Sequence, residues 1–297
     1  NNHKVLLNHV YSGVDREDSD EMISLLENTF QQTSDLYKNI SSLSYELKAF
    51  KEKFKTNAFV KYYQQKVKNT QPVFNDDNTE VIDEVYESNV DYTGYGFAAS
   101  YIISPSVTLL TSAEKAIRLP SENEVFGDAG DNLLPNLTIQ PETSNNLNIG
   151  FRLGEFNLKK HGITLAANFF ARNIENRIGL PANADGLRES DEFVQYTNLE
   201  NTAESKGIEA ELKYTYNNIL GFNFNITHMD LTTVNSGVET NVPNVPLSTM
   251  NAGLRYTINN FIQSKSLINL FYNIYYTDEF AFKFAAGTNT TGEDEFL

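Results

Sequence analysis

Polar and apolar side chains alternate one by one through much of this chain. In VTLLTSAEKA, Val107, Leu109, Thr111 and Ala113 share one parity, while Thr108, Ser112 and Glu114 take the other. In NNLNIGFRL, Leu147, Ile149, Phe151 and Leu153 oppose Asn146, Asn148, Gly150 and Arg152. GIEAELKYTY and MNAGLRYTI repeat the pattern, with Ile208, Ala210, Leu212 and Tyr214 against Glu209, Glu211 and Lys213, and Met250, Ala252, Leu254 and Tyr256 against Asn251, Gly253 and Arg255. A period of two puts neighbouring side chains on opposite faces of a strand, so each segment predicts a strand with one greasy and one wet face. The charges Arg152, Glu209, Glu211, Lys213 and Arg255 all oppose the apolar parity. Random placement does that roughly once in thirty trials, given two-fold alternation.

The pattern predicts about eleven strands, beginning near Val5, Tyr37, Phe54, Asp91, Val107, Asn145, Ile163, Lys206, Phe222, Ser248 and Leu267. Short turns are expected around Lys48 to Lys53, Ser104 to Ser106, Asn157 to Gly162, Asn217 to Gly221 and Asn259 to Ser266. Long connections are expected around Asp15 to Asp35, Asn69 to Ser88, Arg118 to Thr143, Gly179 to Thr202 and Thr232 to Val245. Strict short-long alternation is the rhythm of an up-and-down outer-membrane barrel, tight at one end and long-looped at the other. A soluble sandwich with Greek-key crossovers has no reason to keep it. The expected class is therefore all-β, an antiparallel up-and-down transmembrane β-barrel. Within the first long connection, Met22, Leu25, Leu26 and Phe30 recur at helical spacing and predict a short surface helix. Tyr62 and Tyr63, Tyr92 and Tyr95, Tyr214 and Tyr216, and Tyr272, Tyr275 and Tyr276 are placed for interfacial girdles, or reflect the general β-propensity of aromatic residues.

Composition narrows the chemistry. A formal net charge of -16 lacks the basic footprint of a nucleic-acid binder. Much of the acid falls in the proposed outer loops, at Asp15 to Glu21, Asp76 to Glu87 and Glu293 to Glu295, without the fixed ligand spacing of a calcium loop. The chain has no cysteine, so it has no disulfide, thiolate nucleophile or cysteine metal site. His3, His9, His161 and His228 are scattered and form no metal-binding or catalytic pair. No catalytic motif stands out, and neither an enzyme nor a cofactor is expected.

Between two alternating strands lies RLPSENEVFGDAGDNLLPNLTIQPE. Its Arg118, Pro120, Glu124, Phe126 and Gly127, then Asn136, Leu137, Pro141 and Glu142, resemble a loop shared by TonB-dependent receptors of the bacterial outer membrane, in the form carried by Bacteroidetes. Pro135 precedes Asn136 where the family has Asn-Pro. Downstream, Phe169, Phe170, Ile174, Ile178, Tyr196, Asn198, Gly207, Ile208 and Glu209 are similar to the family's next hairpin, with its Y-x-N and G-I-E elements. The two motifs in this order cover about Asp91 to Asn273. Upstream the resemblance rests on topology.

The resemblance implies a 22-stranded barrel closed by an amino-terminal plug. Residues 1–297 would be part of the barrel domain, about the ninth to nineteenth strands, with signal peptide, plug and final strands outside it. It further implies energised uptake of a ferric siderophore, haem, cobalamin or a glycan. The implied partners are a TonB-type coupling protein acting through the plug, outer-membrane lipid and a surface lipoprotein. Arg118, Glu124, Pro141 and Glu142 are expected to hold the loop in place, with ligand choice at the tips Asp128 to Leu134 and Pro181 to Glu192 and in the lumen. Two other readings share parts of the pattern. A passive porin has the alternation and loop rhythm but not the motifs, and a soluble glycan-binding β-protein has the strands.

Overall fold

The computed structural model describes residues 2–25, 28–77, 79–128, 132–180, 193–199, 202–235, 238–241, 245–282 and 295–296. Strands β1 (Asn2–Leu25), β2 (Asn28–Ala49), β3 (Phe54–Phe74), β4 (Val81–Ser104) and β5 (Val107–Arg118) follow one another as antiparallel neighbours. The helix α1 (Glu122–Phe126) and the short β6 (Leu133–Leu134) then interrupt the series, which resumes with β7 (Glu142–Leu158) and β8 (His161–Glu175). Three two-residue pieces follow, β9 (Ile178–Gly179), β10 (Val194–Gln195) and β11 (Thr197–Asn198). The chain continues through β12 (Thr202–Tyr216), β13 (Leu220–Asn235), β14 (Val238–Asn241), β15 (Ser248–Asn259) and β16 (Leu267–Thr277). These build one twelve-stranded sheet; β14 lies off its path at the end of β13, so eleven strands run in the order β1-β2-β3-β4-β5-β7-β8-β12-β13-β15-β16. All eleven expected strands are present.

The structure departs from expectation where hairpins rise beyond the alternating stretches. Most of Asp15 to Asp35 is not a loop, because β1 runs to Leu25 and β2 starts at Asn28. The helix expected across Met22 to Phe30 is replaced by these strands, with Leu26 outside the described residues. Likewise β3 reaches Phe74 and β4 starts at Val81, which leaves a short connection where Asn69 to Ser88 was expected to be long. The reason is that backbone pairing, once started, needs no apolar face to continue. Polar cross-strand pairs help it along: Lys68 and Glu87 face each other at 3.7 Å, and Gln71 donates to Glu84 at 3.1 Å.

Register assigns the two faces. Phe59, Gly96, Glu114, Asn146, Arg172 and Ser205 are successive cross-strand partners and share one face with Arg152, Glu211 and Lys213. The other face carries large apolar side chains open to the surroundings, among them Leu109, Leu147, Ile149 (55 % exposed), Phe169, Leu254 and Tyr256. A sheet in water would cover such a surface; a barrel wall turns it to lipid. The adjacent tyrosines Tyr62 and Tyr63 are split by the same parity. Tyr62 is exposed on the apolar face, whereas Tyr63 is buried on the polar one. Adjacent residues cannot both join one girdle.

Candidate functional site

Among the described residues, the larger cluster of buried apolar side chains lies on the polar face of the sheet. Val125, Phe126, Ile139 and Ile178 from the connections after β5 and β8 pack on Leu36 of β2 and Val67 of β3, with Leu137 and Tyr196 alongside. Leu133 and Val194 form a second small cluster where β6 and β10 pair in parallel. The two motif regions thus fold together into a shelf over the inner wall.

The shelf is built around Arg118, the last residue of β5. Its Nε donates to Glu142 Oε2 at 2.7 Å, and its Nη1 donates to both carboxylate oxygens of Glu124 at 3.0 Å. Glu124 also accepts from the Ser121 backbone N–H at 2.7 Å and the Ser121 hydroxyl at 3.0 Å, which fastens the start of α1. Glu142 accepts from the Ile178 N–H at 2.7 Å and so reaches the second motif region. Charge-assisted bonds of this kind are short and strong.

The apolar faces of the strands set the electrostatic setting. Lys115, Asn145 and Asn173 are cross-strand partners that end the outward apolar band. Arg118 and Glu142, themselves partners, lie three residues beyond it. Burial pushes the Glu142 carboxyl up. The bonds from Arg118 and the Ile178 amide, with the Arg118 charge, outweigh that and hold it below the usual carboxylate range. The bond to Glu142 raises Arg118 further above its already high value.

Each remaining motif residue has a definite place. Pro120 and Pro141 are fully buried at the two ends of the loop. Gly127 ends α1 at φ 68°, and a Cβ there would lie 2.3 Å from the Leu133 carbonyl oxygen, so only glycine fits. Asn136 donates to the Tyr196 carbonyl at 2.8 Å and accepts from the Thr138 N–H and hydroxyl. Its own N–H donates to the Val125 carbonyl at 2.8 Å, a bond that proline at 136 would forfeit. The Asn198 amide accepts from Gln140 N–H and donates to the carbonyls of Gln140 and Asn176. Gly207 and Glu209 lie apart from this cluster, on the inner wall of β12. A Cβ on Gly207 would meet the Phe170 ring at 2.8 Å, and Glu209 is the partner of Asn168 on β8.

Two anchors have no signal in the sequence. Arg16 of β1 donates to the Gly127 carbonyl at 3.0 Å, and Lys38 of β2 donates to the Pro120 carbonyl. Burial lowers the Lys38 ammonium below its ordinary value. These bonds tie the shelf to strands three and four places from β5 in the sheet. Of the expected loop tips, residues 129–131 and Pro181 to Glu192 lie outside the described residues.

A family model described as TonB dependent receptor-like, beta-barrel matches residues 26–294. The chain belongs to the TonB-dependent receptor β-barrel family. No curated protein matches it. Among solved structures it is similar to the ferric yersiniabactin uptake receptor FyuA from Yersinia pestis, with a TM-score of 0.59 and 13 % identity over 95 % of this chain and 40 % of that one. It is similar also to the Serratia marcescens hemophore receptor HasR, solved with its hemophore HasA and heme, with a TM-score of 0.56, 12 % identity and 95 % and 55 % of the two chains. The ferric-catecholate import receptor Fiu from E. coli K12 aligns with a TM-score of 0.56 and 10 % identity, over 95 % and 45 %. At these identities the likeness shows the fold. The chain spans about half the length of these relatives or somewhat less. In this family the polar face is the lumen wall, and the shelf of Arg118, Glu124 and Glu142 lies within it.

Proposed function

We propose that the whole protein is an importer of the bacterial outer membrane, energised by a TonB-type coupling protein acting through a plug outside residues 1–297. Family membership over residues 26–294 carries this reading. The exposed apolar face, suited to outer-membrane lipid, supports it against a soluble glycan-binding protein. The shelf supports it against a plain porin, whose lumen serves as an open aqueous channel. The chain supplies about the ninth to nineteenth strands of a 22-stranded barrel, of Bacteroidetes-like type, and has no enzymatic role.

The cargo is a scarce solute, one of ferric siderophore, haem, cobalamin or glycan. The ferric yersiniabactin of FyuA, the hemophore and heme of HasR and the ferric catecholate of Fiu favour an iron-bearing one. A surface lipoprotein is a further partner of this reading. The motif residues around Arg118 act as a scaffold, and ligand contacts come from the loop tips and lumen.

Uptake of labelled candidate solutes into cells expressing the full-length gene, with and without the coupling protein, tests the proposal. Uptake lost without coupling supports an energised importer, while equal uptake in both strains leaves a passive barrel.

A further inference from the structure

The turns at the end of the wall away from the shelf are basic in an acidic chain. Five of them join successive strands there, at 50–53, 105–106, 159–160, 217–219 and 260–266. Their charged residues are Lys51, Lys53, Lys159, Lys160 and Lys265 against a single acid, Glu52. The whole chain has 23 basic and 39 acidic residues, so random draws would give so basic a set about three times in a hundred. All five lysines are exposed, and none makes an ion pair among the described residues. Glu52 pairs instead with Lys55 of β3, at 3.7 Å.

Large apolar side chains stand uncovered beside these lysines. Phe50 is 70 % exposed next to Lys51, Leu158 is 63 % exposed next to Lys159, and Phe261 and Ile262 are 58 % and 79 % exposed on the turn that holds Lys265. Register fixes their level. Leu158, His161, Tyr216, Leu220 and Tyr256 are successive cross-strand partners on the apolar face. Lys159 therefore stands one residue, or roughly 3.4 Å, beyond the last lipid-facing side chain of β7. That is the depth of the headgroup layer, which adds roughly 5–7 Å to each side of the hydrocarbon. The three basic turns follow β2, β7 and β15, each four strands from the next, or roughly 20 Å. A small ligand cannot reach all three, whereas a leaflet that surrounds the barrel touches every one.

We infer that this end of the wall binds the anionic phospholipid headgroups of the leaflet around it, with the lysines on the phosphates and Phe50, Leu158, Phe261 and Ile262 in the boundary between headgroups and acyl chains. A lysine can carry its ammonium to a headgroup while its stem covers apolar surface, and each one near an anionic surface strengthens the attraction. The inference rests on the membrane-barrel part of the proposed function, but it is read with lipid alone and without transport.

The full-length receptor would be reconstituted in phosphatidylcholine vesicles holding spin-labelled phosphatidylglycerol or spin-labelled phosphatidylcholine, and the lipid immobilised on the protein measured by electron paramagnetic resonance. Phosphatidylglycerol is expected to associate about threefold more strongly than phosphatidylcholine at low salt and about equally in molar salt. Its preference should drop at least twofold when Lys51→Gln, Lys53→Gln, Lys159→Gln, Lys160→Gln and Lys265→Gln are combined, with heat-modifiable gel mobility reporting the fold. It should persist when Lys115→Gln and Lys206→Gln are combined, since these lysines lie at the other end of the same face. Equal association of the two lipids at low salt overturns the inference, as does a preference that withstands molar salt, survives the five-lysine change or is lost in the Lys115 and Lys206 variant. The salt series on wild-type protein stands even if the five-lysine variant does not fold. A receptor that never enters the vesicles overturns the barrel reading and this inference with it, whereas an inserted receptor without lipid preference overturns this inference alone.

Discussion

Arg118 and Glu142 are cross-strand partners on the last rung of β5 and β7, and their side chains close that rung with a 2.7 Å ion pair. The strand ladder thus ends in a clasp that also holds α1 and the Ile178 backbone. Arg118→Ala leaves two largely buried carboxylates facing each other without their cation. Arg118 itself is 45 % exposed, so the loss lies between that of a surface pair and a buried one, about 1–2 kcal/mol of shelf stability. Proteolysis of the folded barrel should cut the shelf selectively in this variant. A cycle with Glu142→Ala should show strong coupling, and additive losses would contradict the clasp.

Acid should open the same clasp. The folded carboxyl of Glu142 lies below its unfolded value, so its contribution is present above the ordinary carboxylate range and is lost as pH falls through the depressed folded value. The Ile178 amide is the reporter, because its N–H is bonded to Glu142. Its exchange protection, corrected for intrinsic rate, should hold near neutrality and drop only in distinctly acid solution. In Glu142→Gln that pH step should vanish.

Gly127→Ala should unfold the shelf locally and leave the wall intact. The added methyl has to enter a space already held by the Leu133 carbonyl, at a backbone angle that side chains avoid. A local cost of roughly 1–3 kcal/mol follows. Exchange at the α1 and β6 amides should rise while that of β3 and β4 stays unchanged, and a uniform rise across the sheet would count against a local role.

The assignment of faces is open to a charge test on neighbouring residues. Ile149→Arg turns a cation to lipid and should cost about 2–4 kcal/mol on insertion into vesicles. Asn148→Arg turns it to the lumen and should cost little. A reversed order of the two would exchange inside and outside.

Much of the wall was legible because alternation reports directly on a surface with two different solvents. Arg152, Glu209, Glu211, Lys213 and Arg255 betrayed the polar face without any structure. The hairpin tips were not legible, since from Asp15 to Asp35 pairing continues through a sequence without strict polar-apolar alternation. The start of α1 had a signal in the S-x-x-E spacing of Ser121 and Glu124, but five residues are too few for helical periodicity to show. Arg16 and Lys38 had no signal at all. Their partners are backbone carbonyls more than 80 residues away, and only the stacking of strands brings them there.

The tall hairpins have a consequence for how such a protein changes over generations. β1 has 24 residues, several more than twice the nine to eleven that cross the hydrocarbon. In the proposed orientation its upper half, with that of β2, stands clear of the bilayer like a palisade, and it is the first thing an antibody or phage would meet. Apart from Arg16, Ser34, Leu36 and Lys38, which hold the shelf or lie buried beneath it, a crest held by backbone pairing tolerates polar substitution. The protein can therefore alter its appearance to the outside while the lumen wall and shelf beneath stay the same.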